Sequence, residues 1–131
     1  MRVLLPLLVV ACGALAPSVS AAPLTCPATL ETDETAGGKP VAYKFRYVSF
    51  YDGDPAEMAD LAPEDRSQAP RLDQVWRFAR EPGRPIVMVC RYHGTQATVR
   101  KDVPASVKEC RIEGVIDGKG EIQGSPKLTC K

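Results

Sequence analysis

Histidine occurs once in this 131-residue chain, at position 93, and tryptophan once, at position 76. Any triad or metal site built on imidazole would therefore have to pass through His93. No G-x-S-x-G, H-E-x-x-H, P-loop or dinucleotide fingerprint is present, which removes the common sequence signals of hydrolases, zinc proteases and nucleotide binders. No block of like charges occurs, so no polybasic patch for a membrane surface is visible. Internal repeats and low-complexity segments are missing as well, and no stretch reads as a long helix. The apolar run at residues 3–16 is too short, and too interrupted by proline, for a transmembrane helix of about 20 residues.

That run reads instead as part of a signal peptide, residues 1–21. Arg2 supplies a minimal positive start, and Val19-Ser20-Ala21 has the small-x-small form that a signal peptidase needs. Cleavage after Ala21 is preferred to cleavage after Ala22, which would put Pro23 just past the scissile bond. The rival reading makes Val9-Val10-Ala11-Cys12 a lipobox with Cys12 lipidated, but the segment before Cys12 is unusually short for that. The soluble, periplasmic or secreted form is the expectation.

About 110 residues remain, 22–131, enough for one domain. Of the 17 lysines and arginines, loss of Arg2 leaves 16, against 16 aspartates and glutamates. A surface near zero net charge argues against nucleic acid, whose non-specific binding depends on displacing counterions with basic side chains.

Four cysteines remain: Cys26, Cys90, Cys110 and Cys130. An even count in a small exported domain reads as a disulfide framework. Of three possible pairings, Cys90 with Cys110, closing a local loop, and Cys26 with Cys130, joining the ends, is the expected one. Loops of ~20 and ~100 residues would contribute roughly 3 and 4.7 kcal/mol in the chain-entropy model. A four-cysteine zinc site lacks any C-x₂₋₄-C pair, so neither metal nor cofactor is expected.

The pattern along the chain is β-rich. Residues 24–30 read as an edge strand, given Pro27, and 32–40 as a polar loop. Residues 41–51 are the clearest strand, with Val41, Tyr43, Phe45 and Tyr47 alternating with Ala42, Lys44 and Arg46. From Val48 the alternation switches face, as a bulge or burial on both faces would explain. Asp52-Gly53-Asp54-Pro55 makes a turn into a short helix at 55–61. Residues 62–73 read as a long surface loop. Further strands are expected at 75–80 (Trp76 and Phe78 on one face), 86–92, 96–100, 111–116, 121–123 and 128–131. The expected fold is mainly β: a small antiparallel barrel or sandwich of six to seven strands.

Candidate chemistry is sparse. On a turn beside Gly94, His93 reads as a solvent-exposed loop residue before it reads as a general base. Asp52, Asp54, Glu57 and Asp60 cluster in sequence, as calcium ligands or paired glycosidase carboxylates would. The spacing matches no EF-hand, however, and acids beside Gly and Pro are ordinary turn composition. Tyr43, Tyr47, Tyr51 and Trp76 could line a groove for a glycan or small ligand, although alternating aromatics more often build a core.

Several pieces line up together: Cys26-Pro27, then Val48-Ser49-Phe50-Tyr51-Asp52-Gly53 followed by Pro55-x-Glu57-x-x-x-Leu61-x-Pro63, Trp76, Cys90-x-Tyr92-x-Gly94-Thr95, Pro104, Cys110 and Cys130. In these the chain resembles a family of small exported bacterial proteins with no established activity. The resemblance implies export, disulfides and a hairpin stapled at its base, which supports Cys90 with Cys110. It supplies no catalytic residue. Val87-Met88-Val89 departs from it, since related chains often carry an aromatic residue before the motif cysteine.

The leading functional expectation is a non-enzymatic periplasmic binding protein, an inhibitor or immunity protein for a cell-wall hydrolase or toxin. A disulfide-braced scaffold presents ordered loops at little entropic cost on binding. Tyr92-His93-Gly94-Thr95 is the expected contact tip, with Asp52, Asp54 and Glu57 in a second contact turn and Trp76 beside a ligand groove. In architecture this is similar to the periplasmic lysozyme inhibitors. The alternatives are a glycan or small-molecule binding module and, behind it, a hydrolase using the acidic turn.

Overall fold

The computed structural model describes residues 23–36 and 39–131, with only the backbone described at 33–36. The signal peptide, its cleavage site and Cys12 lie outside the described residues. Eight strands form: Thr29–Ala36 (β1), Lys39–Asp52 (β2), Glu64–Asp65 (β3), Arg71–Arg77 (β4), Ile86–Tyr92 (β5), Thr98–Val103 (β6), Glu109–Ile116 (β7) and Ile122–Cys130 (β8). They make two antiparallel sheets, ordered β1-β2-β5-β6 and β3-β4-β7-β8. β1–β2, β3–β4, β5–β6 and β7–β8 pair as hairpins, and the chain alternates between the sheets hairpin by hairpin.

One core lies between the sheets. Phe45, Val48 and Phe50 from β2 and Ile86, Met88, Cys90 and Tyr92 from β5 meet Leu72 and Trp76 from β4 and Cys110 and Ile112 from β7. Phe50 is the hinge of that contact, with its ring 4.9 Å from Trp76 and 5.3 Å from Phe78. The expected common face of Trp76 and Phe78 is thus present. Central strand β5 is buried on both faces, because Val87 and Val89 pack with Tyr51 on the outside of its sheet.

The switch of pattern in β2 is a β-bulge. Phe45 pairs with Tyr92 and Tyr47 with Arg91, so Arg46 is the extra residue. One unpaired residue resets the period-2 alternation, which carries Val48 and Phe50 inward.

Several expectations are corrected. Residues 32–36 and 39–40 are strand rather than loop, since β1 runs to Ala36 and β2 begins at Lys39. The helix shrinks to a 3₁₀ turn, Pro55–Glu57, that ends at Met58 with φ 59°. Part of the expected loop at 62–73 is β3 and the start of β4, and residues 121–123 and 128–131 are joined in β8.

The disulfide pairing also differs: Cys26 bonds Cys90 and Cys110 bonds Cys130. Cys90 and Cys110 sit on opposite sheets, because β6, not β7, is the hairpin partner of β5. Cys110 and Cys130 face each other directly in the β7–β8 register. Cys26 anchors the segment leading into β1, where the Tyr92 hydroxyl donates to the Pro27 carbonyl (2.9 Å) and Lys101 Nζ to that of Thr25 (2.9 Å).

Candidate functional site: two unlike sheet faces

The Tyr92–Thr95 turn divides by burial. Tyr92 is 3 % exposed, and desolvation pushes its phenol pKa up. His93 and Gly94 lie at the surface. Gly94 has φ +80°, with Tyr43 packed below it, a backbone conformation suited to glycine. Thr95 Oγ1 accepts from the amide of Ala97 (3.0 Å) and tightens the turn.

The acidic turn at the other end of β2 is held by arginines. Arg84 Nε donates to Asp52 (3.1 Å), and Arg84 Nη2 donates to Glu57 (3.1 Å) and to the Asp52 carbonyl (2.8 Å). The two carboxylates hold the Arg84 guanidinium above its usual pKa. Asp54 accepts from the amide of Ala56 (3.0 Å) and lies 3.6 Å from Arg100. These carboxylates brace the loop from 53 to 61 rather than converge on a shared space.

The aromatic residues diverge too. Trp76 is buried, its indole N–H donating to the Leu61 carbonyl (2.9 Å). Tyr43 packs against the core, Tyr51 is buried on the outer side of β2, and Tyr47 stands 40 % exposed. An apolar cleft of about 260 Å³ does open between the sheets, lined by Cys26, Phe45, Val48, Ile112, Pro126 and Leu128 among others. Its lining has few groups to hydrogen-bond sugar hydroxyls.

The two turns sit at opposite ends of the β2–β5 ladder, roughly 20 Å apart at about 3.4 Å per residue. The decisive contrast lies between the two outer sheet faces. On β3-β4-β7-β8 the charges neutralise one another. Arg111 grips the buried Asp73 carboxylate with two 2.8 Å bonds, and Arg71 reaches it at 3.4 Å. Arg77 bonds Glu64 and lies 3.2 Å from Glu109, while Arg66 is 2.8 Å from Glu64.

These pairs predict an acid-sensitive stability. Hydrogen bonds from Arg66 and Arg77 hold Glu64 at about 2 instead of 4.5, and Arg111 holds Asp73 below the ordinary carboxylate range. Depressed values stabilise the fold above the unfolded pKa of about 4, and that contribution is lost as pH falls through the folded values. The thermal midpoint should therefore hold from pH 7 to about 5 and fall between about 4.5 and 2. The Asp73→Asn, Glu64→Gln double variant should flatten that limb. An equally steep fall in the variant would assign the acid limb to other carboxylates.

The outer face of β1-β2-β5-β6 is different. By register Tyr47 and Arg91 are cross-strand partners there. Arg91 donates to the Tyr51 hydroxyl at 2.7 Å, and its guanidinium lies 5.9 Å from the Tyr47 ring centroid. Arg46, projected by the bulge, approaches the same ring at 5.6 Å. The sequence reading placed Tyr47 among groove candidates but passed over Arg46 and Arg91. The pattern switch at Val48 was the one local signal that something is displaced at Arg46.

Residues 38–131 match the family model described as "Type VI secretion system Tli immunity protein". The chain belongs to this family. It is also 32 % identical to an uncharacterised 16.3 kDa protein in the trpG 5′ region of Azospirillum brasilense, over 77 % of this chain and 77 % of that protein. No solved structure matches the chain. The match to the Tli immunity family spans β2 to β8 and three of the disulfide cysteines, leaving Cys26 and β1 before it. Its members' role is immunity, so the chain acts as a non-enzymatic immunity protein whose partner is a protein toxin. Disulfides are consistent with the periplasm, since they persist in oxidising compartments.

Proposed function

We propose that this chain meets, in the periplasm, an effector toxin delivered by a type VI secretion system and neutralises it by steric occupation, without chemistry of its own. In this reading the mature protein starts after Ala21 and is soluble, and the toxin is a hydrolase that attacks the cell wall from the periplasmic side. The family match over residues 38–131 carries the proposal. Two disulfides and a shared inter-sheet core support it, because a rigid scaffold loses little conformational entropy on binding. His93 and Thr95, on their tightened turn, are proposed rim contacts.

The test is protection. Cells making the cognate type VI effector, directed to their periplasm, should survive when the full-length chain is co-expressed. They should die when residues 1–21 are deleted and the chain stays in the cytosol. Death in both cases, with no complex recovered from purified components, would remove the immunity reading. His93→Ala with Thr95→Ala should weaken the complex about tenfold or less, as rim positions do.

A further inference from the structure

The arginines of the molecule are not distributed evenly between paired and unpaired roles. Among the described residues, Arg66, Arg71, Arg77, Arg84, Arg100 and Arg111 each lie within 4 Å of a carboxylate. Arg80 has no such partner but donates to the carbonyls of Val103, Pro104 and Val107, bracing the connection from β6 to β7. Arg46 and Arg91 are left, and both lie against Tyr47.

We infer that the outer face of β1-β2-β5-β6, centred on Arg46, Tyr47 and Arg91, is the toxin-binding surface, and that it recognises a carboxylate-rich patch on the toxin. The inference rests on the immunity reading and assigns to it a site and a partner chemistry.

Three observations converge on this face. The first is electrostatic: the opposite sheet's outer face supplies its own counter-charges, whereas this one, beside the Arg100–Asp54 pair at its β6 side, presents two guanidiniums that meet none among the described carboxylates. At the border with the other sheet, Arg46 and Tyr47 share a small cleft with Leu72 and Gln74 of β4 and with Glu121 and Ile122, and no ion pair joins Glu121 to Arg46. A guanidinium fork matches a carboxylate through two parallel bonds, stronger and more directional than a single charge contact.

The second is preorganisation. Arg46 is projected by a bulge, and Arg91 is held by both the Tyr51 hydroxyl and the Tyr47 ring. Val87, Val89 and Tyr51 form a buried apolar floor alongside. Fewer rotamers are therefore lost when a partner docks. The third is composition, since Tyr and Arg dominate the energetic centres of protein interfaces.

An anionic lipid surface is the other partner that arginines attract. It calls for clusters of about four to eight basic residues, and the chain has no block of like charges. A structured acidic protein surface fits two stacked guanidiniums better.

The experiment uses the cognate type VI effector, inactivated at a catalytic residue, with binding to the mature oxidised protein measured calorimetrically at low and high salt. Arg46→Glu and Tyr47→Ala should each weaken binding about tenfold or more, and Arg91→Glu with Arg46→Glu about a hundredfold. Wild-type affinity should fall with salt, and the double charge reversal should flatten that dependence. Lys108→Glu, in the connection before β7, should bind like wild type, and unchanged circular dichroism should show that each variant folds. Wild-type binding with variants within about twofold of it would overturn the surface and leave the immunity reading standing. Salt-independent binding would overturn the acidic partner. No binding by wild type would overturn both, and arginine-dependent binding to anionic vesicles in place of the effector would assign the face to lipid.

Discussion

Replacing both Cys26 and Cys90 with serine is expected to destabilise the protein by about 4 kcal/mol, more than loss of the other disulfide. The bond closes a loop with a sequence separation of 64 residues, against 20 for Cys110–Cys130. Chain entropy then assigns about 4 and about 3 kcal/mol respectively. The difference should be larger in practice, because Cys26–Cys90 alone ties the entry segment covalently to the central strand. Among the described residues, that segment is otherwise held by the hydrogen bonds of Pro27, Thr25 and Ala28 and by Leu24 packed on the core. Urea unfolding of the two double-serine variants measures this directly. An equal loss from both pairs would mean that the entry segment stays docked without its covalent anchor.

Phe50→Ala should cost about 3–5 kcal/mol, the range for truncating a buried phenylalanine. Phe50 is wholly buried, and its ring touches Trp76 on β4 and Phe78 just beyond that strand. Its removal would open a cavity where the two sheets meet. Tyr47→Ala, three residues away and outward, should leave the unfolding midpoint nearly unchanged, since surface truncations usually fall within about 0.5 kcal/mol. That pair of outcomes would separate the residues that hold β2 in the fold from those that face a partner. A mild Phe50→Ala effect would show that the sheets are held chiefly by their edges and disulfides.

How far the sequence could be read is clear from β2 and β5. Alternation from Val41 to Tyr47, its switch at Val48 and the apolar run at 86–92 are local signals. They mark two strands, the first with a bulge or burial on both faces, and both strands and the bulge are present. The strand pair β1–β2 was harder, because Thr32 to Pro40 is polar and lacks an apolar period. An edge strand needs only one buried face and so leaves little pattern. Residues 121–131 misled in the same way: Gly124 and Pro126 look like breaks, yet β8 runs through them at an edge.

By itself, the sequence determined that the protein is mainly β, that Cys26, Cys90, Cys110 and Cys130 form two disulfides, and that its function is sought in binding. Period-2 hydrophobicity, cysteine parity and the missing catalytic motifs are properties of neighbours along the chain. The tertiary structure alone decided which cysteines pair, since Cys90–Cys110 and Cys110–Cys130 close loops of the same length and only the sheet partition distinguishes them. It also decided what the charges do. The acidic turn became a strut through Arg84, a guanidinium 32 residues from Asp52 in sequence, while Arg46 and Arg91 came together on one ring across β2 and β5 with no described carboxylate in reach. Coulomb and hydrogen-bond energies depend on distance in space, and the order of residues does not contain that distance until the sheets have paired.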